Sequence, residues 1–165
     1  MGPAAARAAQ GSMLVAGPKA LFETVQAELA NMTTRLEYLG ERADLAAANK
    51  LFGNAMIIGL SAVMADILTL AQASDVQGEG AVKLLSLLDL NAMVAVRGVN
   101  MAKGNFTPSF ELAMARKDVR LMLETTGDRP MAALPAVAAR MDQLIAAGHG
   151  AEDASALAID AVARG

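Results

Sequence analysis

Residues 51–71 read LFGNAMIIGLSAVMADILTLA. Asp44 upstream is a suitable N-cap, and no proline follows until Pro108, so the pattern predicts one long helix over about 44–74. It is apolar on most sides, which leaves two readings. It is long enough to span a bilayer. Against that, Asn54, Ser61 and Asp66 fall inside it, basic flanking clusters and an aromatic belt are missing, and an Asp within a membrane is costly. A buried central helix has the same all-round apolar character, and that is the expectation. Gly53 and Gly59 each cost about 1 kcal/mol relative to Ala in a helix, so a neighbour or ligand is expected to approach closely there.

Ahead of this helix, SMLVA at 12–16 is a short apolar run closed by Gly17-Pro18. In PKALFETVQAELAN, 18–31, Leu21, Phe22, Val25 and Leu29 recur at helical spacing, and Pro18 suits a first turn. TTRLEYLG, 33–40, alternates like a strand and stops at Gly40. Strand, helix and strand are too little for a stable sheet, so residues 1–42 read as the tail of a domain whose front is missing.

Beyond the long helix, a turn is expected at 75–80. Helices follow at about 79–88, 91–103, 109–126, 131–147 and 151–163, punctuated by Gly104, Gly127, Gly148 and Gly150. Pro135 lies near the start of its helix, where it is tolerated. The predicted fold is mainly α: a helical domain, 43–165, built around one long helix. No 20–50-residue period repeats, which excludes a solenoid.

Composition supports tight helix packing. Of 165 residues, 55% are hydrophobic, only 3% aromatic, and 11 are Met, so small and flexible side chains must fill the core. With no Cys and one His, disulfides, thiolate catalysis and the common zinc sites are excluded. A net charge of −3 with scattered basic residues gives no nucleic-acid footprint. The N-terminus, MGPAAARAAQGS, lacks a signal peptide's basic start and apolar core, and a cytoplasmic location is expected. The chain contains no GxGxxG or GxxxxGK phosphate loop.

Two constellations carry chemistry. Lys50 and Asn54 stand four apart, so they share a helix face. Lys50 falls in the second turn, where the macrodipole opposes a positive charge. Apolar surroundings would push it further toward its neutral form, suited to proton exchange. By spacing alone, a snorkelling Lys and a helix-to-helix amide contact are the favoured reading of the pair. The second is NFTPSFELAMARKDVRL, 105–121. Thr107 or Ser109 can cap its helix, and Phe110, Met114, Lys117 and Leu121 fall on one face. Taken alone, Lys117 reads as the edge of a core stripe, paired to a carboxylate, with a cation aimed into a cleft as the functional alternative. His149, between two glycines, is expected at a cap or on the surface.

In order and distance, these motifs resemble the C-terminal half of the β-hydroxyacid dehydrogenases, the group of 3-hydroxyisobutyrate dehydrogenase and its 6-phosphogluconate dehydrogenase relatives. LGERADLAAANKLFGN resembles the family's lead-in and KxxNN motif. Lys50 takes the catalytic Lys place and Asn54 the second Asn place, while Gly53 replaces the first Asn. FELAMARKDVRL resembles the later aromatic and KD pair. MGPAAARAAQGSMLVAGP resembles the substrate loop, with Gly2 as its second Gly and a spacing to Gly11 about two residues longer than usual.

The resemblance implies NAD- or NADP-dependent hydride transfer to or from a 3-hydroxyacid or a related small carbonyl. It casts Lys50 as catalytic acid or base. Gly2, Asn54 and Phe110 would bind substrate, and Lys117 and Asp118 would approach the cofactor. Imine-reducing relatives share the architecture but usually lack this Lys. The resemblance also implies that the family's dinucleotide-binding front lies outside these residues, that residues 1–42 are the tail of a Rossmann domain, and that the 165 residues alone are inactive. The competing reading is a helical dimerisation module without catalysis. A homodimer is expected under both, with no membrane and no nucleic-acid partner.

Overall fold

The structure, a computed structural model, describes residues 3–162. The chain divides into two compact units, Met1–Ile58 and Gly59–Gly165, with the division inside the long helix.

In the first unit, a short helix α1 (Pro3–Arg7) precedes strand β1 (Ser12–Val15), helix α2 (Lys19–Ala30) and strand β2 (Arg35–Tyr38). The strands pair in parallel, Ser12 opposite Arg35 through Val15 opposite Tyr38, as a strand–helix–strand connection requires. Both are shorter than the stretches read as strands, 12–16 and 33–40. The Thr33 and Thr34 hydroxyls instead bond the carbonyl of Gly11. Gly17 sits at φ 136° and Gly40 at φ 118°, a region that favours glycine, and the Gly17 N–H donates to the Gly40 carbonyl at 3.0 Å. Phe22 of α2 stacks on Tyr38 of β2, ring centroids 4.7 Å apart. This contact sews helix to sheet. The Tyr38 hydroxyl donates to the Gly17 carbonyl at 2.8 Å.

Helix α3 (Leu45–Ala73) runs for 29 residues, as the uninterrupted pattern predicts. The Asp44 carboxylate pairs with Arg42 at 2.7 Å. The expectation of a buried helix is corrected. Only Asp66 and Ala71 of α3 are buried, and Phe52, Met56 and Ile58 are each more than half exposed. Small residues cover too little of the helix for its own chain to enclose it. Gly53 and Gly59 are likewise open, with nothing within 4 Å of where a Cβ would stand. By length and composition α3 is able to cross a membrane.

The second unit continues with α4 (Gly78–Leu85), α5 (Leu90–Met93), a π-helical turn (Val94–Gly98) and α6 (Val99–Ala102). The single helix expected over 91–103 is thus broken by a π turn. α7 (Leu112–Thr126), α8 (Leu134–Ala146) and a 3₁₀ helix (Ala154–Ala161) complete it. The core lies among these last three elements: Leu112, Ala115 and Val119 of α7 against Ala138, Met141 and Leu144 of α8, closed by Ala154. The i, i+3, i+7 spacing of the α7 residues puts them on one face. The stripe expected to be core, Phe110, Met114, Lys117 and Leu121, faces outward instead. Helix α7 carries two apolar stripes, and α8 covers the other one.

Two buried carboxylates fix the helix starts. Asp66 of α3, 1% exposed, accepts the backbone N–H groups of Ala132, Ala133 and Leu134 at the start of α8. Asp153 Oδ2 accepts from Ser109 N at 2.9 Å, Ser109 Oγ at 2.8 Å and Phe110 N at 3.1 Å. Its Oδ1 accepts from Ser155 N at 2.9 Å and caps the 3₁₀ helix. The first N–H groups of α7, those of Leu112 and Ala113, donate to the carbonyls of Glu152 and Gly150. So neither Thr107 nor Ser109 caps α7. Ser109 is itself held by Asp153, and the helix begins three residues later, at Leu112.

Candidate functional site

Lys50 and Asn54 rise from one face of α3, one helical turn apart. Together with Gly53 and Ile57 they form one wall of a groove of about 570 Å³, and Ser12–Leu14 of β1 form another. The strand's apolar run brings it beside the helix, and Gly53 keeps the wall low between the two polar side chains. Asn49, one residue before Lys50, turns back on its own helix and donates to the Leu45 carbonyl at 2.9 Å. By contrast, among the described residues Lys50 forms no ion pair and the Asn54 amide no hydrogen bond. An ammonium and an amide with no partners, side by side in a groove, are free to bind an oxygen of a small molecule. Lys50 is exposed, so the apolar enclosure expected from the sequence does not surround it in this chain.

Lys117 and Asp118 lie in the second unit, on α7, with Lys117 Nζ 3.4 Å from Asp118 Oδ1. Asp118 lines a shallow hollow of about 320 Å³ with Leu121, Met122 and Ser74. Phe110, 40% exposed, stands two residues before α7 with its N–H held by Asp153. Gly2 lies outside the described residues. His149 is partly buried, its Nδ1 3.1 Å from Glu152 Oε1. Among the described residues, no cluster of His, Cys, Asp or Glu is arranged to hold a metal ion.

Sequence reasoning missed Asp153. Burial raises its pKa, but the donated bonds from Ser155 and Ser109 outweigh that and hold it well below the usual carboxylate range. Asp153 followed by Ser155 was a legible local cap. Its hold on Ser109 and Phe110, more than forty residues upstream, was not, because no local pattern encodes it.

No family model matches the sequence. Glyoxylate/succinic semialdehyde reductase 1 of Arabidopsis thaliana, a member of the 3-hydroxyacid dehydrogenase family, is 33% identical over 131 residues. The chain is a relative of the β-hydroxyacid dehydrogenases. The match takes in 77% of the chain and 44% of the reductase, so the chain spans less than half the length of this β-hydroxyacid dehydrogenase relative.

Solved structures give the same fold. An imine reductase variant from Myxococcus stipitatus, in complex with NAD+, superposes with a TM-score of 0.83 over 95% of the chain and 58% of its own, at 19% identity. An imine reductase from Aspergillus terreus, in complex with NADPH4, gives 0.81 over 98% and 57%, at 21% identity. The fold is that of the helical C-terminal domain shared by imine reductases and the 3-hydroxyisobutyrate dehydrogenase-like β-hydroxyacid dehydrogenases.

Proposed function

We propose that the chain supplies the C-terminal part of an NAD(P)-dependent oxidoreductase acting on a small 3-hydroxyacid or a related carbonyl acid. The observation that carries this reading is the groove holding Lys50 and Asn54, both without partners among the described residues, at the places the β-hydroxyacid dehydrogenase motif reserves for proton transfer and substrate binding. The sequence similarity to a plant reductase supports it.

The groove has room for a small carbonyl acid. The chain holds no glycine-rich phosphate loop, so its residues do not fit the dinucleotide's pyrophosphate. That part of the cofactor would be held by a dinucleotide-binding segment outside these 165 residues. When bound, the reduced nicotinamide supplies the hydride. Lys50 then gives its ammonium proton to the substrate's carbonyl oxygen and is left as the neutral amine; in oxidation it takes the alcohol proton. Asn54 donates a hydrogen bond to the same oxygen or to the carboxylate and holds the carbonyl in register. By the family resemblance, Lys117 and Asp118 are assigned to the cofactor, Phe110 to the substrate and Gly2 to the substrate carboxylate.

The exposed apolar surface of α3 supports a two-fold homodimer, in which a second copy covers Phe52 and Met56, one turn apart on the same face. Asp66 is spent on the start of α8, which fits a helix buried in protein better than one in lipid. The test of function joins the chain to the part of the Arabidopsis relative that lies outside the match. NADPH or NADH oxidation is then followed with glyoxylate, succinic semialdehyde and a panel of 3-oxoacids. Turnover by the fusion and none by the 165 residues alone is expected. A correctly folded fusion that binds cofactor but turns over no substrate would favour the dimerisation module.

A further inference from the structure

A second pocket, of about 360 Å³, lies wholly in the second unit, beside the π-helical turn. The turn carries Arg97, α6 carries Asn100, and the following loop brings Asn105, Thr107 and Ser109 to the same cavity, with Asp153 at its back. π turns insert a residue into a helix and recur at functional sites.

The donors and acceptors of this pocket do not balance. Arg97 is partly buried and Arg97 Nη2 donates to Ser109 Oγ at 3.3 Å. Among the described residues it has no carboxylate partner. The obvious candidate, Asp153, is already filled by Ser109, Phe110 and Ser155. Asn105 Oδ1 accepts from Thr107 N and Thr107 Oγ1 at 3.2 and 2.8 Å, which leaves its NH₂ as a surplus donor. The Asn100 side-chain amide has no partner among the described residues either. Among the described residues, a guanidinium without a carboxylate partner and two amides with N–H groups to spare line the pocket, and its one lining carboxylate, Asp153, is already used.

We propose that this pocket binds a small monocarboxylate, gripped by Arg97 and flanked by Asn100 and Asn105. The planar guanidinium fork matches a carboxylate. The ionised Asp153 behind Ser109 selects against a dianion such as phosphate, because like charges repel at short range. The inference goes beyond the hydride-transfer reading and does not depend on it.

The test titrates sodium acetate into the full 165-residue chain at fixed ionic strength, following the Arg97 Nε–H and Ser109 amide resonances. A saturable shift of both is expected. Binding should weaken at least tenfold in Arg97→Gln and by an intermediate factor in Arg97→Lys, which keeps the charge without the fork. Phosphate should bind at least tenfold more weakly than acetate. Lys50→Met should leave the acetate affinity unchanged. Absence of a saturable shift, equal binding of phosphate, or an undiminished shift in a folded Arg97→Gln chain would overturn the proposal. Loss of acetate binding in Lys50→Met would move the carboxylate to the Lys50 groove and overturn it too.

Discussion

Asp66 Oδ2 lies 2.8 Å from the backbone N–H of Leu134 and accepts its hydrogen bond, so a residue in the middle of α3 caps the start of α8. The same carboxylate takes the N–H groups of Ala132 and Ala133. Burial pushes the Asp66 pKa up, and the three backbone bonds outweigh that and bring it below its ordinary value.

A stability prediction follows for Asp66. Asp66→Ala should cost about 2–3 kcal/mol, the range for hydrogen bonds to a charged group whose partners are left buried. Because the folded-state pKa lies below the unfolded one, the contribution is complete above about pH 4. It is lost as pH falls through the folded value. Asp153, depressed more strongly, adds to the loss with the same sign. Urea midpoints measured from about pH 6 down to pH 2 should fall for the wild-type chain, and fall less in Asp66→Asn. Parallel curves would show that Asp66 carries no folding-linked charge.

Packing and surface charge should separate cleanly in α7. Leu112 is fully buried in the core, so Leu112→Ala should cost about 2–5 kcal/mol. Arg116 meets Asp142 of α8 through two bonds of 2.8 and 2.9 Å, but Asp142 is solvent-facing. Asp142→Asn should therefore cost under about 1 kcal/mol. Chemical denaturation of both variants checks the ratio.

The uncovered α3 predicts an oligomer. Light scattering should give twice the 17.0 kDa chain mass, and Met56→Glu should lower it to the monomer by burying a charge in the shared face. A monomeric wild-type chain at micromolar concentration would remove the dimer from the account.

Much of the fold was legible, because the longest elements are set by local pattern. α3 needed only its apolar run, its unbroken length and the absence of proline. The β1–α2–β2 unit followed from alternation and from Gly17 and Gly40. What failed was burial. The all-round apolar character of α3 says that something covers it, not that its own chain does. On α7, the stripe of Phe110, Met114 and Leu121 was as plausible as that of Leu112, Ala115 and Val119, and only the approach of α8 decides between them. The site divides the same way. Lys50 and Asn54 share a face by helical spacing alone, but their groove needs β1 beside α3. Arg97's lack of a carboxylate partner depends on Asp153 being filled from two segments, Ser109–Phe110 and Ser155, and no spacing rule carries that.

The central claim is that Lys50 moves the proton in a hydride-transfer reaction. It is tested most directly by the kcat of Lys50→Met in the fusion that carries a dinucleotide-binding front. The account predicts a fall of about 10²–10⁴-fold, the usual size of general acid–base catalysis, with cofactor affinity unchanged. A Lys50→Met enzyme that turns over as fast as the wild type, in the same folded state, would contradict it.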